Sequence, residues 1–515
     1  MGRSRRNSPL FVFCSLCVVL FAGVFFVSAP AGAQISASSG LASPTNPAYE
    51  KYIAANDSTS PAEIPTTADG HYLGYIPPQF KVPALKGPSQ AALQTAAIPS
   101  KYDLRVASTV APKHPIGVTP VRNQYSCGSC WAFGAMASLE SYLKLHGVTA
   151  DFSEADLNEN HGWDLPVCMG GNETMATGYM ARWAGPLSET DSPYPYWLTT
   201  QGQGGSPGTS PTSASLVGAG GYHIQDVYWL PQRANYTDNT TVKAAIMANG
   251  AVAVSYYVNN ASYYNATTYS YYCNDSSLST NHEVAIVGWD DDYPLTNFNS
   301  SPPGNGAFIA KNSWGKGWGD NGYFYISYYD ASLSLDAQFA KPELVTNYTR
   351  IYQYDLLGLT KFYDFSGSGA QTYWYANVFM ASANASVIKG VSLYTPVPNT
   401  RYVISVYRNL SGSSPSTLVP TAGTLVRSRQ GTIVDPGYHT IQLPAAAVTA
   451  NEPFSVVVKV TTPGYGYPVP IAYSNPTMKM SASGACPGQS YTSADGTTWS
   501  YCNDFKVCLK AFAVK

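Results

Sequence analysis

Charge is scarce in this chain and almost evenly split. Only 12% of its 515 residues are charged, and 29 basic against 31 acidic side chains leave a net charge of −2. That balance excludes electrostatic capture of nucleic acid or of an anionic membrane, so partners must be read from local sites. A second long apolar run is also missing: after the stretch from Leu10 to Val27, nothing approaches the ~20 residues needed to cross a bilayer. Beyond that stretch no second C-x2-C and no H-x3-H accompanies Cys127 and Cys130, which removes the four compact ligands of a structural zinc. A thioredoxin-type redox pair should end a strand within a βαβ unit, and that context is lacking too. No internal repeat is present.

Tyrosine and tryptophan are plentiful instead, at 40 and 10, beside abundant Ser, Thr and Asn. The mixture suits a β-rich extracellular protein. Arg3, Arg5 and Arg6 precede the first apolar run and Ala31-Gly32-Ala33 follows it, so residues 1–33 read as a signal peptide cut after Ala33. An uncleaved signal anchor is the alternative. Either way the chain faces an oxidising space, secreted or at the cell surface, with no membrane span after signal cleavage. Asn56, Asn172, Asn235, Asn239, Asn260, Asn265, Asn274, Asn299, Asn347, Asn384 and Asn409 each stand in an N-x-S/T sequon, consistent with a glycoprotein where the host has the machinery.

Residues 34–97, rich in Ala, Ser, Pro and Thr without a sustained apolar period, read as a pro-segment or linker. Residues 98–340 mix helical and strand patterns. From Cys130 to His146, Phe133, Met136, Ala137, Leu139 and Leu143 recur at helical spacing, Glu140 can pair with Lys144, and Gly147 can end the helix. In "FSEADL" Ser153 can cap the next helix, with Asp156 completing a capping box and Phe152 stapled to Leu157. Strand patterns follow at 251–258, 282–289 and 306–314, which makes an α+β arrangement. "QGQGGSPGTSPTSAS" (201–215) reads as a surface loop. Residues 350–515 show only short strand-like runs between turns, an antiparallel β-sandwich of its own.

Of nine cysteines, Cys14 and Cys17 leave with the signal peptide, and the odd remainder in an exported protein implies an unpaired thiol. With metal and redox readings set aside, a nucleophile remains. "NQYSCGSCWAF" resembles the active-site segment of papain-family cysteine peptidases, "NHEVAIVGW" their histidine strand, and "KNSWGKGWGDNGYF" their asparagine segment. The three occur in order across residues 98–335. The resemblance implies a two-lobed catalytic domain, helical and β, with Cys130 as nucleophile and His282 as its proton partner. Asn312 would orient the imidazole and Trp314 cover that bond. Gln124 would supply the oxyanion donor with the Cys130 N–H. Each role answers a chemical need: a thiol near its ordinary pKa is mostly protonated at neutral pH, and a helix N-terminus with an imidazole favours its thiolate.

By the same resemblance Cys127 pairs with Cys168 in "VCMGGN", and Gly170 and Gly171 line the substrate groove. Pairing among Cys273, Cys486, Cys502 and Cys508 stays open, with Cys486–Cys502 a plausible link. Glu283 stands after the histidine where relatives carry a small residue, lining the main specificity pocket and favouring basic or polar groups there. A glycan at Asn172 would sit on the groove rim. Residues 34–97 lack the long charged helix of typical papain pro-segments, which leaves the means of latency open. Asp290, Asp291 and Asp292 read as a solvated loop rather than a calcium site. No metal and no cofactor is expected. The runs from "WYANVF" to "VCLKAF" resemble the lectin-like β-domain that follows papain-like domains in some prokaryotic surface proteins. That implies carbohydrate as a partner, by stacking on exposed aromatics, although Trp374, Tyr375 and Trp499 fit a sandwich core equally. The expected function is an exported cysteine endopeptidase acting on proteins or peptides through an acyl-enzyme. Acyl transfer to an amine at the same site is a second enzymatic reading. The alternative from another class is a surface adhesion or carbohydrate-binding protein with a non-catalytic peptidase-like domain.

Overall fold

The helical stretch that begins at Cys130 is apolar on nearly every side, because it runs through the middle of the molecule instead of along its surface. The computed structural model describes residues 32–55, 65–80, 97–109, 112–195, 220–258, 261–384, 386–481 and 487–515. Residues 1–31 of the expected signal peptide, the 201–215 loop and Cys486 lie outside the described residues.

Helix α1 (Pro47–Ala55) belongs to the amino-terminal segment. Helix α2 (Cys130–Leu145) buries Phe133, Met136, Ala137, Leu139 and Leu143 as expected, and Gly147, at φ +80°, follows its end. Glu140 does not pair with Lys144. Its carboxylate is buried and accepts from the Thr119 hydroxyl at 2.5 Å and the Phe152 N–H at 2.8 Å, since this face of α2 meets protein, not water. Helix α3 (Glu154–Asn160) starts at Ser153, whose hydroxyl accepts from the Asp156 N–H at 2.9 Å. Asp156 does not complete a capping box. Its carboxylate accepts from the Leu187 N–H at 3.2 Å and the Asn160 amide at 2.9 Å, and from the Tyr179 hydroxyl. Helices α4 (Glu173–Ala181) and α5 (Thr240–Asn249) complete the set used below.

The β-lobe holds β1 (Lys101–Asp103), β2 (Asp226–Trp229), β3 (Val252–Tyr256), β4 (His282–Asp290), β5 (Ala307–Lys311), β6 (Tyr323–Ser327) and β7 (Ser334–Ala340). Further along come β8 (Val387–Thr395), β9 (Gly437–Ala447) and β10 (Leu509–Val514). Strand β4 is buried along almost its whole length and reads as a continuous apolar run, as an interior strand must. It pairs antiparallel with β3 and β5, which sets Tyr256 opposite His282 and Lys311 opposite Ala285.

The carboxy-terminal strands do not form a sandwich closed on itself. Strand β9 pairs antiparallel with β2, so that one 13-stranded sheet, which includes the run β10, β8, β9, β2, β7, β3, β4, β5, β6, passes through both regions. At the junction Gly437 holds φ +135°, and a Cβ there would stand 1.9 Å from the Val227 carbonyl oxygen. Only glycine permits that approach. A 7-stranded sheet faces it, with a core that includes Tyr375, Ile404, Val456 and Val458. Tyr375 and Trp499 are therefore interior packing rather than an exposed aromatic platform, and the half-buried Trp374 lies under the Lys459 ammonium at 4.8 Å.

The amino-terminal segment is woven into this frame. Gln34–Ile35 pairs with Tyr501–Cys502, and Leu41–Ala42 pairs with Tyr363–Asp364. Tyr49 of α1 donates from its hydroxyl to the Met478 carbonyl at 2.7 Å. Residues 65–80 then pass between the start of α2, where Gly74 meets Gly128, and the head of β4, where the Tyr75 N–H donates to the Asn281 carbonyl.

Candidate active site

Cys130 is the first residue of α2, where unsatisfied backbone N–H groups carry partial positive charge. The Glu283 N–H, next in the chain to His282, donates to its sulfur at 3.4 Å. Just upstream, a disulfide joins Cys127 to Cys168, and the Gly128 N–H donates to the Cys168 carbonyl at 3.0 Å. These bonds tie the loop carrying Gly170 and Gly171 to the start of α2. The buried Cys273, Cys502 and Cys508 form no disulfide among the described residues.

Strand β4 presents His282 at its first position, and Asn312 follows the end of β5. The His282 Nε2 lies 2.8 Å from Asn312 Oδ1, and the Ser313 N–H donates to the same oxygen at 2.8 Å. An oxygen bonded in this way accepts, so Nε2 carries the proton and Nδ1 keeps its lone pair. Nδ1 is buried and has no hydrogen-bond partner among the described residues. Trp314 stacks on the imidazole at 4.6 Å between ring centroids, and His71 stacks on the same indole at 4.5 Å. Gln124 donates from Nε2 to the Tyr72 carbonyl at 2.9 Å and to the Cys127 carbonyl at 2.8 Å. Its Oε1 accepts from the Ser313 hydroxyl at 2.6 Å, which fixes the orientation of the amide. Gln124, Cys130, His282, Asn312 and Trp314 thus converge on one groove, with Gly170 and Gly171 along its rim.

The groove is filled by residues 71–76. From the His71 stack the segment passes Tyr72, whose carbonyl also accepts from the Trp314 indole at 3.4 Å. Gly74 then presses against Gly128, where a Cβ would come within 2.1 Å of the carbonyl oxygen. The Tyr75 N–H donates to the Asn281 carbonyl at 3.2 Å and the Ile76 N–H to the Gly171 carbonyl at 2.9 Å, while the Gly171 N–H donates to the Gly74 carbonyl at 3.0 Å. Tyr75 pairs with Gly171 in a parallel bridge. Covered in this way, the Cys130 thiol is pushed well up by burial and the His282 imidazole down to about 4, again by burial. Both groups are neutral in this state.

Glu283 is buried against α2, with both carboxylate oxygens unpartnered among the described residues. Sequence reading missed its companions Glu173 and Asp336, along with Ser313 and His71. Asn172 overturns the expectation of a rim glycan. It is buried as the N-cap of α4, with its side-chain oxygen accepting from the Thr174 and Met175 N–H groups. In the acidic run, Asp290 pairs with Lys101 at 2.8 Å and Asp291 with Lys243.

Residues 98–339 match the family model described as papain family cysteine protease, and residues 351–513 match that of the lectin like domain. A structure of the cysteine protease and lectin-like domains of Cwp84, a surface layer associated protein of Clostridium difficile, covers 93% of this chain and 98% of its own, with a TM-score of 0.71 at 24% identity. A structure of clostridial cysteine protease Cwp84 after propeptide cleavage covers 77% of this chain and 97% of its own, with a TM-score of 0.64 at 27% identity. Among curated relatives, a viral cathepsin of Cydia pomonella granulosis virus is 28% identical over 48% of this chain and 64% of its own length. Mouse cathepsin J is 31% identical over 41% and 57% respectively. The chain thus spans less than two thirds of these relatives.

Proposed function

We propose that this chain, matched over residues 98–339 by the papain family cysteine protease model and over 351–513 by the lectin like domain model, is an exported peptidase that cleaves peptide bonds through a Cys130 acyl-enzyme. The observation that carries the reading is the Gln124 amide holding a peptide carbonyl, that of Tyr72, in the groove that contains Cys130 and His282.

Once the groove is open to water, the burial that keeps both groups neutral is relieved. The proton of Cys130 passes to His282 Nδ1, and the thiolate attacks the scissile carbonyl. Gln124 Nε2 and the Cys130 N–H receive the oxyanion. The imidazolium, kept in register by Asn312, protonates the leaving amine, and water then hydrolyses the thioester with His282 as base.

The leaving amine must lie on the side of His282 and Trp314, so the acyl part of a substrate lies along Gly170 and Gly171. A productive chain therefore runs from Gly171 towards Trp314. Residues 71–76 run the opposite way, from Trp314 to Gly171, and occupy the groove without offering a correctly directed bond. This is latency by reversed occupation, and it needs no long charged helix. Cwp84 is described after propeptide cleavage, which supports removal of the corresponding segment here. Export to the cell surface is supported by the amino-terminal apolar run and by the surface-layer association of Cwp84. Recovery of the chain only from cytosol would overturn it.

The assignment is tested with a thiol-reactive epoxide peptide and intact mass. The matured protein is expected to gain one adduct and Cys130→Ser none; no adduct on matured protein would favour the adhesion reading. Latency has its own test. Gly74→Val forces a side chain onto the Gly128 carbonyl, and overpacking of ~1–3 kcal/mol translates into roughly 5- to 150-fold faster labelling of the uncleaved chain. Labelling as slow as that of the unsubstituted chain would show that the segment does not block the thiol.

A further inference from the structure

Opposite Gly171, the pro-segment places its Tyr75 side chain in a pocket whose chemistry does not suit a phenol. The hydroxyl donates to Asp336 Oδ1 at 3.3 Å, and the Ser255 hydroxyl donates to the same oxygen at 3.2 Å. Glu173 and Glu283 complete a cluster of three carboxyl side chains, each more than nine-tenths buried. Asp336 Oδ2, Glu173 Oε2 and both oxygens of Glu283 have no hydrogen-bond partner among the described residues. Burial raises the pKa of all three, and the carboxyls raise one another further at Glu283 and Asp336. Trp229, Leu230 and Leu335 form an apolar wall beside Glu173 and Asp336.

We propose that this pocket selects a lysine or arginine side chain in the substrate residue immediately amino-terminal to the one whose carbonyl Cys130 attacks, a reading that rests on the peptidase assignment above. The position follows from the groove. Gly74 lies at the Cys130 end of α2 and its neighbour Tyr75 fills the pocket, so a substrate with its carbonyl at the sulfur puts the adjoining acyl-side residue there. The selection follows from charge. A neutral occupant leaves the carboxyls protonated and their acceptor oxygens idle. A cation supplies donors to several of them at once and favours their ionised form. The apolar wall accommodates the methylene stem that either basic side chain carries.

The test uses three peptides that differ only at this position, with lysine, its neutral isostere norleucine, or tyrosine. Binding is measured on Cys130→Ala protein freed of its pro-segment by an added protease, and cleavage is measured on the matured wild type. The lysine peptide is expected to bind at least about tenfold more tightly than either of the others. That advantage should fall to less than about threefold in Asp336→Asn and in Glu173→Gln. Equal or tighter binding of the norleucine or tyrosine peptide would overturn the proposal, a comparison that needs no pocket variant. So would a lysine advantage unchanged in both variants. Lysine-selective binding without cleavage of any peptide by the wild type would uphold the pocket and refute the peptidase reading alone.

Discussion

Replacing Cys130 with alanine is expected to lower kcat/KM on every peptide substrate by about a millionfold, the scale seen when a covalent nucleophile is removed from a hydrolase. No other side chain can take over. The remaining described thiols, Cys273, Cys502 and Cys508, are buried elsewhere, and the neighbouring hydroxyls are committed, that of Ser129 to the Tyr194 hydroxyl at 2.8 Å and that of Ser313 to Gln124 at 2.6 Å. The measurement is cleavage of a quenched fluorescent peptide by matured protein, and a residual rate within a hundredfold of wild type would remove Cys130 from the mechanism. A pH comparison sharpens it. In the covered chain burial holds the thiol up and the imidazole down, to about 4. Both shifts favour the neutral pair, so the covered chain has no thiolate at pH 6. Uncovering returns water to the site, both values move back, and labelling at pH 6 should be rapid only for matured protein.

Gln124→Ala is expected to cost about 100- to 1,000-fold in kcat, the range for loss of one oxyanion donor. The amide is aimed by its bonds to Ser313 and to the Cys127 carbonyl, so the donor waits in place before substrate arrives. Because the change removes a contact that strengthens as the tetrahedral intermediate forms, KM should move far less than kcat. Modification of Cys130 by a simple alkylating reagent, which builds no oxyanion, should stay close to wild type. A fall in alkylation that matches the fall in kcat would instead assign Gln124 a role in ionising the thiol.

Much of this site lies in short continuous motifs, which is why it can be seen without coordinates. Gln124 and Cys130 share one loop and helix start, and the disulfide from Cys127 to Cys168 sits beside them. His282 and Asn312 open and follow neighbouring strands whose apolar runs are plain. What stayed hidden depends on facing partners. Glu140 had a favourable spacing to Lys144, but only packing reveals that its face of α2 is interior. The sequon at Asn172 reads as a surface signal, yet the residue is spent capping α4. Glu173 and Asp336, far apart in the chain, become neighbours around Tyr75, and no periodicity announces such a meeting. The pairing of β2 with β9 escaped for the same reason, since alternation reports a strand's faces and not whose edge it joins.

That seam has a mechanical result. With β2 and β9 laced by backbone bonds, the groove that holds Cys130 has no hinge against the carboxy-terminal part among the described residues. Any surface that holds the latter would therefore also fix the direction in which the groove opens.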